Sequence, residues 1–273
     1  MTTRTDPDLP TTNDASAWAG RSLGEREVGW DERDAILFAL AVGARPDQLE
    51  LVFERDLRVL PTFALTLAQW APDVLGSAGA FDVGTALHGS QRLEVLAPLP
   101  AAGSTVLAAR VGEVWDKGAA AVFEVVVECP YVRATWSIFA PGRGGFGGQR
   151  GPGRTAGPEG DPAATVAMDI AANAAALYRL TGDRHHIHID PDAAARIGQP
   201  RPILHGLATL SAAVLAAASA RGASPADLSL VEGRFSSPVF PGERVRVPVW
   251  DDGSFRVETE RGVAIDGARA LFG

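Results

Sequence analysis

The chain holds a single cysteine, Cys129, among 273 residues. An intrachain disulfide is therefore excluded, and a reducing compartment is expected. Positive charge is also in short supply: 25 Lys and Arg against 33 Asp and Glu leave a net charge of −8. A general nucleic-acid binder needs a basic face, so that class is not expected, although a local group of arginines can still hold an anionic ligand. Long apolar runs are missing as well. None reaches the length of a membrane span, and the Ala-rich stretch around 208–218 reads as a buried helix. Residues 1–17 are polar and Pro-containing, without the apolar centre of a signal peptide. The expectation is a cytoplasmic, soluble protein with no membrane and no nucleic-acid partner. Hydrophobic residues at 46% and charged residues at 21% give ordinary globular composition, with length enough for a large core.

Between residues 142 and 163 the chain is Gly- and Pro-rich and too poor in apolar side chains to build a core. It reads as a linker between two halves, 21–141 and 164–273, after a flexible tail over 1–20. The halves echo each other. Ala35 to Gly43 and Ala174 to Gly182 are both apolar helical runs ended by Gly. Leu60-Pro61-Thr62-Phe63 opens one longer apolar run, and Pro202 to Gly206 opens another. Strand-like segments come after each, at 91–96, 105–111 and 120–129 in the first half and at 234–237, 244–249 and 254–259 in the second. The correspondences share an offset of roughly 140 residues, as a duplicated fold requires. The predicted class is α+β: two antiparallel half-sheets, each wrapped round a long apolar helix and joined edge to edge so that strand edges are covered.

The stretch Tyr178 to Pro191 concentrates the chemistry. Three of the five histidines, His185, His186 and His188, stand there with Asp183 and Asp190. Five such residues between a helix-ending Gly182 and Pro191 exceed what a turn needs to satisfy its own backbone. In an extended segment His186, His188 and Asp190 would share one face and could hold a metal. That arrangement is similar to the His-x-His-x-Asp-His signature of metallo-β-lactamase-like hydrolases, but Pro191 stands in place of the last His and alternating strand and helix layers are lacking. An acid–base pair is the other reading: Asp183 holds one ring nitrogen of His188 and raises the basicity of the other. No metal is expected.

The same residues resemble a family. Tyr178-Arg179, Thr181-Gly182-Asp183, His188, Asp190-Pro191 and Pro202-Ile203-Leu204-His205-Gly206 match the pattern Tyr-Arg-x-Ser/Thr-Gly-Asp-x-Asn-x-x-His-x-Asp-Pro followed by Pro-Ile-Leu-His-Gly. This is the pattern of the MaoC-like dehydratases and (R)-specific enoyl-CoA hydratases. In the first half, 34–44, Val59 to Phe63, Leu87-His88-Gly89 and Asp116-Lys117-Gly118 extend the resemblance. It implies a double hot-dog fold and reversible hydration of a trans-2-enoyl thioester to an (R)-3-hydroxyacyl thioester. Coenzyme A is then part of the substrate and no separate cofactor is needed. One departure is visible: His185 stands where the pattern has Asn, a residue that helps hold the reacting water and substrate, and His186 stands where Pro is usual.

The resemblance implies Asp183 and His188 as the catalytic pair, with His185 beside them and one active site per chain. Gly206, where the second long helix should begin, supplies a backbone N–H for the oxyanion. His205 is expected to organise that helix start and to line the substrate pocket with Tyr178, Thr62 and Phe63. Arg201, with Arg179, Arg184 and Arg196, is a candidate for the phosphates of coenzyme A. A hot-dog thioesterase and a non-catalytic acyl-thioester binder are the competing functions, and monomer and homodimer are both open.

Overall fold

The computed structural model describes residues 14–153 and 157–273. Residues 1–13 of the expected tail and 154–156 of the expected linker lie outside the described residues. In chain order the helices are α1 (Glu32–Ala41), α2 (Leu49–Val52), α3 (Ala64–Ala68), α4 (Trp70–Ser77), α5 (Ala174–Tyr178), α6 (Pro191–Arg196) and α7 (Gly206–Arg221). The strands are β1 (Ser22–Trp30), β2 (Leu87–Val95), β3 (Gly103–Asp116), β4 (Ala120–Glu128), β5 (Val132–Pro141), β6 (Ala164–Asp169), β7 (Leu228–Phe235), β8 (Arg244–Val249), β9 (Ser254–Thr259) and β10 (Gly262–Phe272).

Among the described residues all ten strands join one antiparallel sheet, in the order β1-β3-β4-β5-β2-β7-β10-β9-β8-β6. The order is a palindrome. Each strand of the first half has a counterpart at the mirrored position in the second, β1 with β6, β2 with β7 and so on outward. The seam is β2 against β7, where Leu93 lies opposite Val231 and both are fully buried. Arg92 and Glu232 pair across it. The double hot dog is therefore one continuous sheet, with β1 and β6 at its two edges. Alternate residues of β3 and β5 point inward, which is how an antiparallel sheet presents one apolar face to its helices.

On that face lies α7. Every residue from 207 to 218 is buried, and Ala and Leu without internal Gly or Pro make the segment a strong helix former. A helix apolar on all sides has to sit inside the protein. Truncating Leu210, fully buried on it, should cost about 2–5 kcal/mol. The first half departs from the expectation of one long helix. Its run is divided into α3 and α4 at Gln69, which keeps helical angles of φ −56° and ψ −24°. Pro72 explains the break, because it has no N–H to donate one turn back to Ala68.

Two segments expected to be loose are packed. Within the tail, Ala15–Trp18 forms a 3-10 turn capped by Asp14, and the Trp18 indole is buried in the core. The start of the Gly-rich connection is tied down by Asp116, whose carboxylate accepts the backbone N–H groups of Gly118 at 2.8 Å, Gly145 at 2.9 Å and Gly147 at 2.8 Å. These donors, Gly145 first, hold the Asp116 carboxyl down to about 2. A depressed carboxyl stabilises the fold at pH values above its unfolded range and loses that contribution as pH falls towards the folded value. Asp116→Asn should therefore expose the amides of Gly145 and Gly147 to hydrogen exchange. It should also flatten the acid limb of stability between about pH 4 and about pH 2, measured by thermal unfolding across that range.

Candidate active site

Helix α5 runs on as a 3-10 turn over Arg179–Thr181 and stops at Gly182. Gly182 has φ +156°, and a Cβ there would lie 3.2 Å from the Thr66 carbonyl oxygen on α3. Glycine lets the chain cross the first half's helix in contact and leave in a new direction. The segment after it is not extended. His186–His188 is a second 3-10 turn, with the His185 ring accepting the Ile187 N–H at 3.3 Å. Asp190 caps α6 by accepting the Asp192 N–H, with Pro191 at the first helical position. His186, His188 and Asp190 consequently do not share the face that the metal reading required.

His188 is buried, and its Nδ1 lies 2.8 Å from the Ile203 carbonyl. A carbonyl only accepts, so Nδ1 carries the proton and Nε2 presents a lone pair. The expected orienting partner was Asp183, whereas the backbone of Ile203 performs that role. Asp183 instead accepts the His185 N–H at 3.0 Å. Its carboxylate lies within 4.8 Å of a ring nitrogen of His188 and of His205, a gap that one water can bridge.

His205, 1% exposed, also differs from expectation. Its side chain makes no capping bond to α7. Its Nε2 lies 3.1 Å from the backbone carbonyl of Asp183, and its ring stacks on His188 with centroids 3.6 Å apart at 24°. Facing a carbonyl, Nε2 is here the protonated nitrogen, and Nδ1 is a buried acceptor without a protein partner. Burial lowers the affinity of both rings for a second proton. For His188 the Asp183 charge and the Ile203 carbonyl oppose that effect, and for His205 the neighbouring His188 adds to it. Two rings lying face to face cannot both aim an in-plane lone pair at one ion, so the stack is a poor metal cradle.

The floor behind the stack is aromatic. Tyr178 packs on His205 with centroids 4.6 Å apart and on Phe38 at 6.0 Å, and Phe38 meets Phe63 at 5.4 Å. Burial pushes the Tyr178 phenol well above its ordinary range, so it stays protonated. Thr62 is fully buried and its hydroxyl has no protein partner. Gly206 is the first residue of α7, where N–H groups have no intrahelical acceptor. A Cβ on Gly206 would come 3.1 Å from the Phe235 ring, so no other residue fits without displacement. Phe235 packs in turn on His88, whose imidazole burial holds down to about 4.

Comparison with known proteins places this arrangement. A family profile described as MaoC like domain matches residues 154–268, and one described as MFE-2 hydratase 2 N-terminal domain matches residues 29–138. "Enoyl-CoA hydratase ChsH3" of Mycobacterium tuberculosis is 39% identical over 93% of this chain and 95% of its own. The chain belongs to the MaoC-like dehydratase family, a family of hydro-lyases. "3-hydroxyacyl-thioester dehydratase Y" of the same organism is 36% identical over 88% of this chain and 89% of its own. The solved peroxisomal multifunctional enzyme type 2 of Drosophila melanogaster superposes with a TM-score of 0.79 at 32% identity, over 91% of this chain and 48% of that one. A MaoC-like dehydratase from Phytophthora capsici, at 24% identity and a TM-score of 0.83, shares the fold.

Around this MaoC-like site three further residues matter that sequence reasoning missed: Ile203, Phe38 and Asp73. Asp73 stands in the first turn of α4, just past the break at Gln69. It is exposed at the surface; desolvation by its neighbours and then the Asp183 charge push its carboxyl upward, while His185 and Arg26 pull the other way. Arg26 stacks on Trp70 at 4.8 Å. Of the arginines considered for phosphate, Arg201 is held by the Pro241 carbonyl at 3.0 Å, by Glu243 at 3.8 Å and by the Phe240 ring. Arg184 and Arg196 are exposed, and Arg179 is half-buried. No helix among the described residues is long and apolar enough to cross a membrane.

The buried neutral rings carry a stability signature. Unfolded histidine takes up a proton near 6.5, while the folded rings resist it. The unfolded state thus binds more protons below that value, and stability falls as pH drops. Thermal unfolding from about pH 7 to about pH 5 should show this slope, and His205→Gln should reduce it. Gly206→Ala should cost about 1–3 kcal/mol through overpacking against Phe235, read as a lower unfolding midpoint.

Proposed function

We propose that this chain reversibly hydrates trans-2-enoyl-CoA to (R)-3-hydroxyacyl-CoA, within fatty-acyl or sterol side-chain β-oxidation. The observation that carries the proposal is the His188 imidazole: buried, with Nδ1–H held by the Ile203 carbonyl so that Nε2 is the free nitrogen, and with the Asp183 carboxylate within 4.8 Å of a ring nitrogen. The names of the relatives and the motif from Tyr178 to Gly206 support the same reaction, and the (R) configuration rests on the family resemblance.

A thioester carbonyl withdraws electrons from the conjugated double bond, so C3 accepts a nucleophile if charge on the carbonyl oxygen is stabilised. The free N–H groups at the start of α7, Gly206 first, sit where that oxygen would be received, and the positive end of the helix adds to them. Water bridging Asp183 and His188 loses a proton to Nε2 as its oxygen bonds to C3. A proton returns to C2 as the enolate collapses, so that H and OH are added and nothing else is consumed. A base neutral at pH 7 is ready for this step, and a ring cation at His205 would oppose it. His185 contributes its backbone N–H to Asp183 and presents its ring at the rim, 6.2 Å from His188. Thr62, Phe63 and Tyr178, expected to line the acyl pocket, are buried with Phe38 in the floor beneath the ring stack.

The test records the ultraviolet absorbance of trans-2-enoyl-CoA together with free thiol. Wild type should consume the enoyl chromophore without releasing thiol. His188→Ala and Asp183→Asn should each lower kcat by about 10²–10⁴-fold, the range for removing a general acid–base group. Thiol release would instead indicate a thioesterase, and an unchanged rate in His188→Ala would overturn the assignment. Because burial lowers the His188 affinity for protons, the acid limb of kcat/KM should fall below 6.5, the value where an exposed imidazole would place it. Restoring the family residue by His185→Asn should change KM and pH dependence more than it changes the need for His188.

A further inference from the structure

The palindromic sheet relates β1 to β6 and α3–α4 to α7, so the catalytic crevice must have a counterpart on the other side of the molecule. It does. A cavity of about 290 Å³ lies between the end of α1 with its following loop, β6, α5 and α7. It shares no residue with the His188–His205 stack, although Leu204 at its wall directly precedes His205, and α7 forms one side of it.

Residue by residue, the second side has lost its proton-transfer chemistry. Counted from the glycines that end the short helices, Gly43 and Gly182, Ala44 takes the place of Asp183 and Leu49 that of His188. Val166 occupies on β6 the inward position that Arg26 has on β1. Ala216 stands as far from His205-Gly206 as Asp73 stands from Thr62-Phe63. Asp183, His188 and Asp73 thus have apolar counterparts, and the space beside them, lined by Val166 and Ala216 but not by Ala44 or Leu49, has not been filled. Alanines line the α7 side where larger side chains could close it, and Leu40 remains 44% exposed at the rim.

The rim charges do not select an ion. Arg45 is paired with Asp47 at 3.0 Å and Asp169 with Arg244 at 3.2 Å. A charged occupant would therefore find no free partner there, while an apolar chain would meet aliphatic walls from four elements. The volume stands at the lower end of small-molecule pockets, about 300 Å³. From the duplication, the apolar replacement and the retained space, we propose that this cavity is a second, non-catalytic acyl-chain site, which takes the saturated hydrocarbon of a neutral thioester. The choice of acyl ligand rests on the hydratase reading, whereas the existence of the site rests on the cavity.

The test is isothermal titration of the full chain with decanoyl-N-acetylcysteamine, a saturated thioester that has no double bond to hydrate. Two sites per chain are expected. Leu40→Asp and Ser219→Trp, both at exposed positions of the rim, should each weaken one site at least about tenfold. The other site, the unfolding midpoint and enoyl-CoA hydration should stay as in wild type. A single site per chain, or two sites that neither variant weakens, would overturn the proposal. Two sites with no hydration of any enoyl-CoA would sink the reaction and leave the second site standing. Hydration with one site would do the reverse.

Discussion

The bond from His188 Nδ1 to the Ile203 carbonyl is the constraint on which the site depends. It is half of a clamp, because the Ile203 N–H returns to the Ile187 carbonyl at 3.2 Å. The His186–His188 turn and the segment entering α7 are thereby locked together through backbone groups of one residue. Leu204 is fixed next by the Val239 carbonyl on the far side, and His205 and Gly206 come directly after it. One clamp thus decides which His188 nitrogen is basic and how far it stands from the start of α7. Without it, a ring free to turn would present its lone pair in the right place only part of the time.

The rest of the molecule supports that clamp at some energetic cost. Two neutral imidazoles are buried face to face, one with an acceptor that has no protein partner. Such groups weaken a fold unless other contacts offset them. The offset comes from the continuous sheet, the wholly buried α7 and the aromatic floor of Phe38, Phe63 and Tyr178. These contacts come from both halves: Phe38 and Phe63 from the first, α7 and Tyr178 from the second, and the sheet from the two together. In the first half Ala44 and Leu49 stand where a proton-transfer pair would otherwise be.

Much of this is legible in the sequence, for identifiable reasons. Helix ends marked by Gly43 and Gly182, the repeated apolar runs and the Gly-Asp-x-x-x-x-His spacing are local signals, and each survives in the structure. Strands β1, β6 and β10 do not stand out, since their alternation is short or interrupted, and β5 is missed although its alternation is regular. The role of Ile203 is invisible there because it is played by a carbonyl, which every residue has. His205 reads wrongly as a helix organiser because its partners, His188 and the Asp183 backbone, are neighbours only after folding. The 3-10 turn at His186–His188 replaces the extended reading because a His185 cap closes it locally. The Gly-rich connection looks loose because the residue that anchors its start, Asp116, lies some thirty positions earlier (the order of separation of Asp116 and Gly145).

The most direct measurement is nitrogen-15 NMR of the histidine side chains across a pH titration of the free protein, with His188 assigned by its loss in His188→Ala. The expected result is a neutral His188 at pH 7, protonated on Nδ1 and bare on Nε2, with its titration displaced below 6.5. A His188 that is protonated on Nε2, or that is an imidazolium at pH 7, would contradict the mechanism, because neither form could take a proton from water at C3.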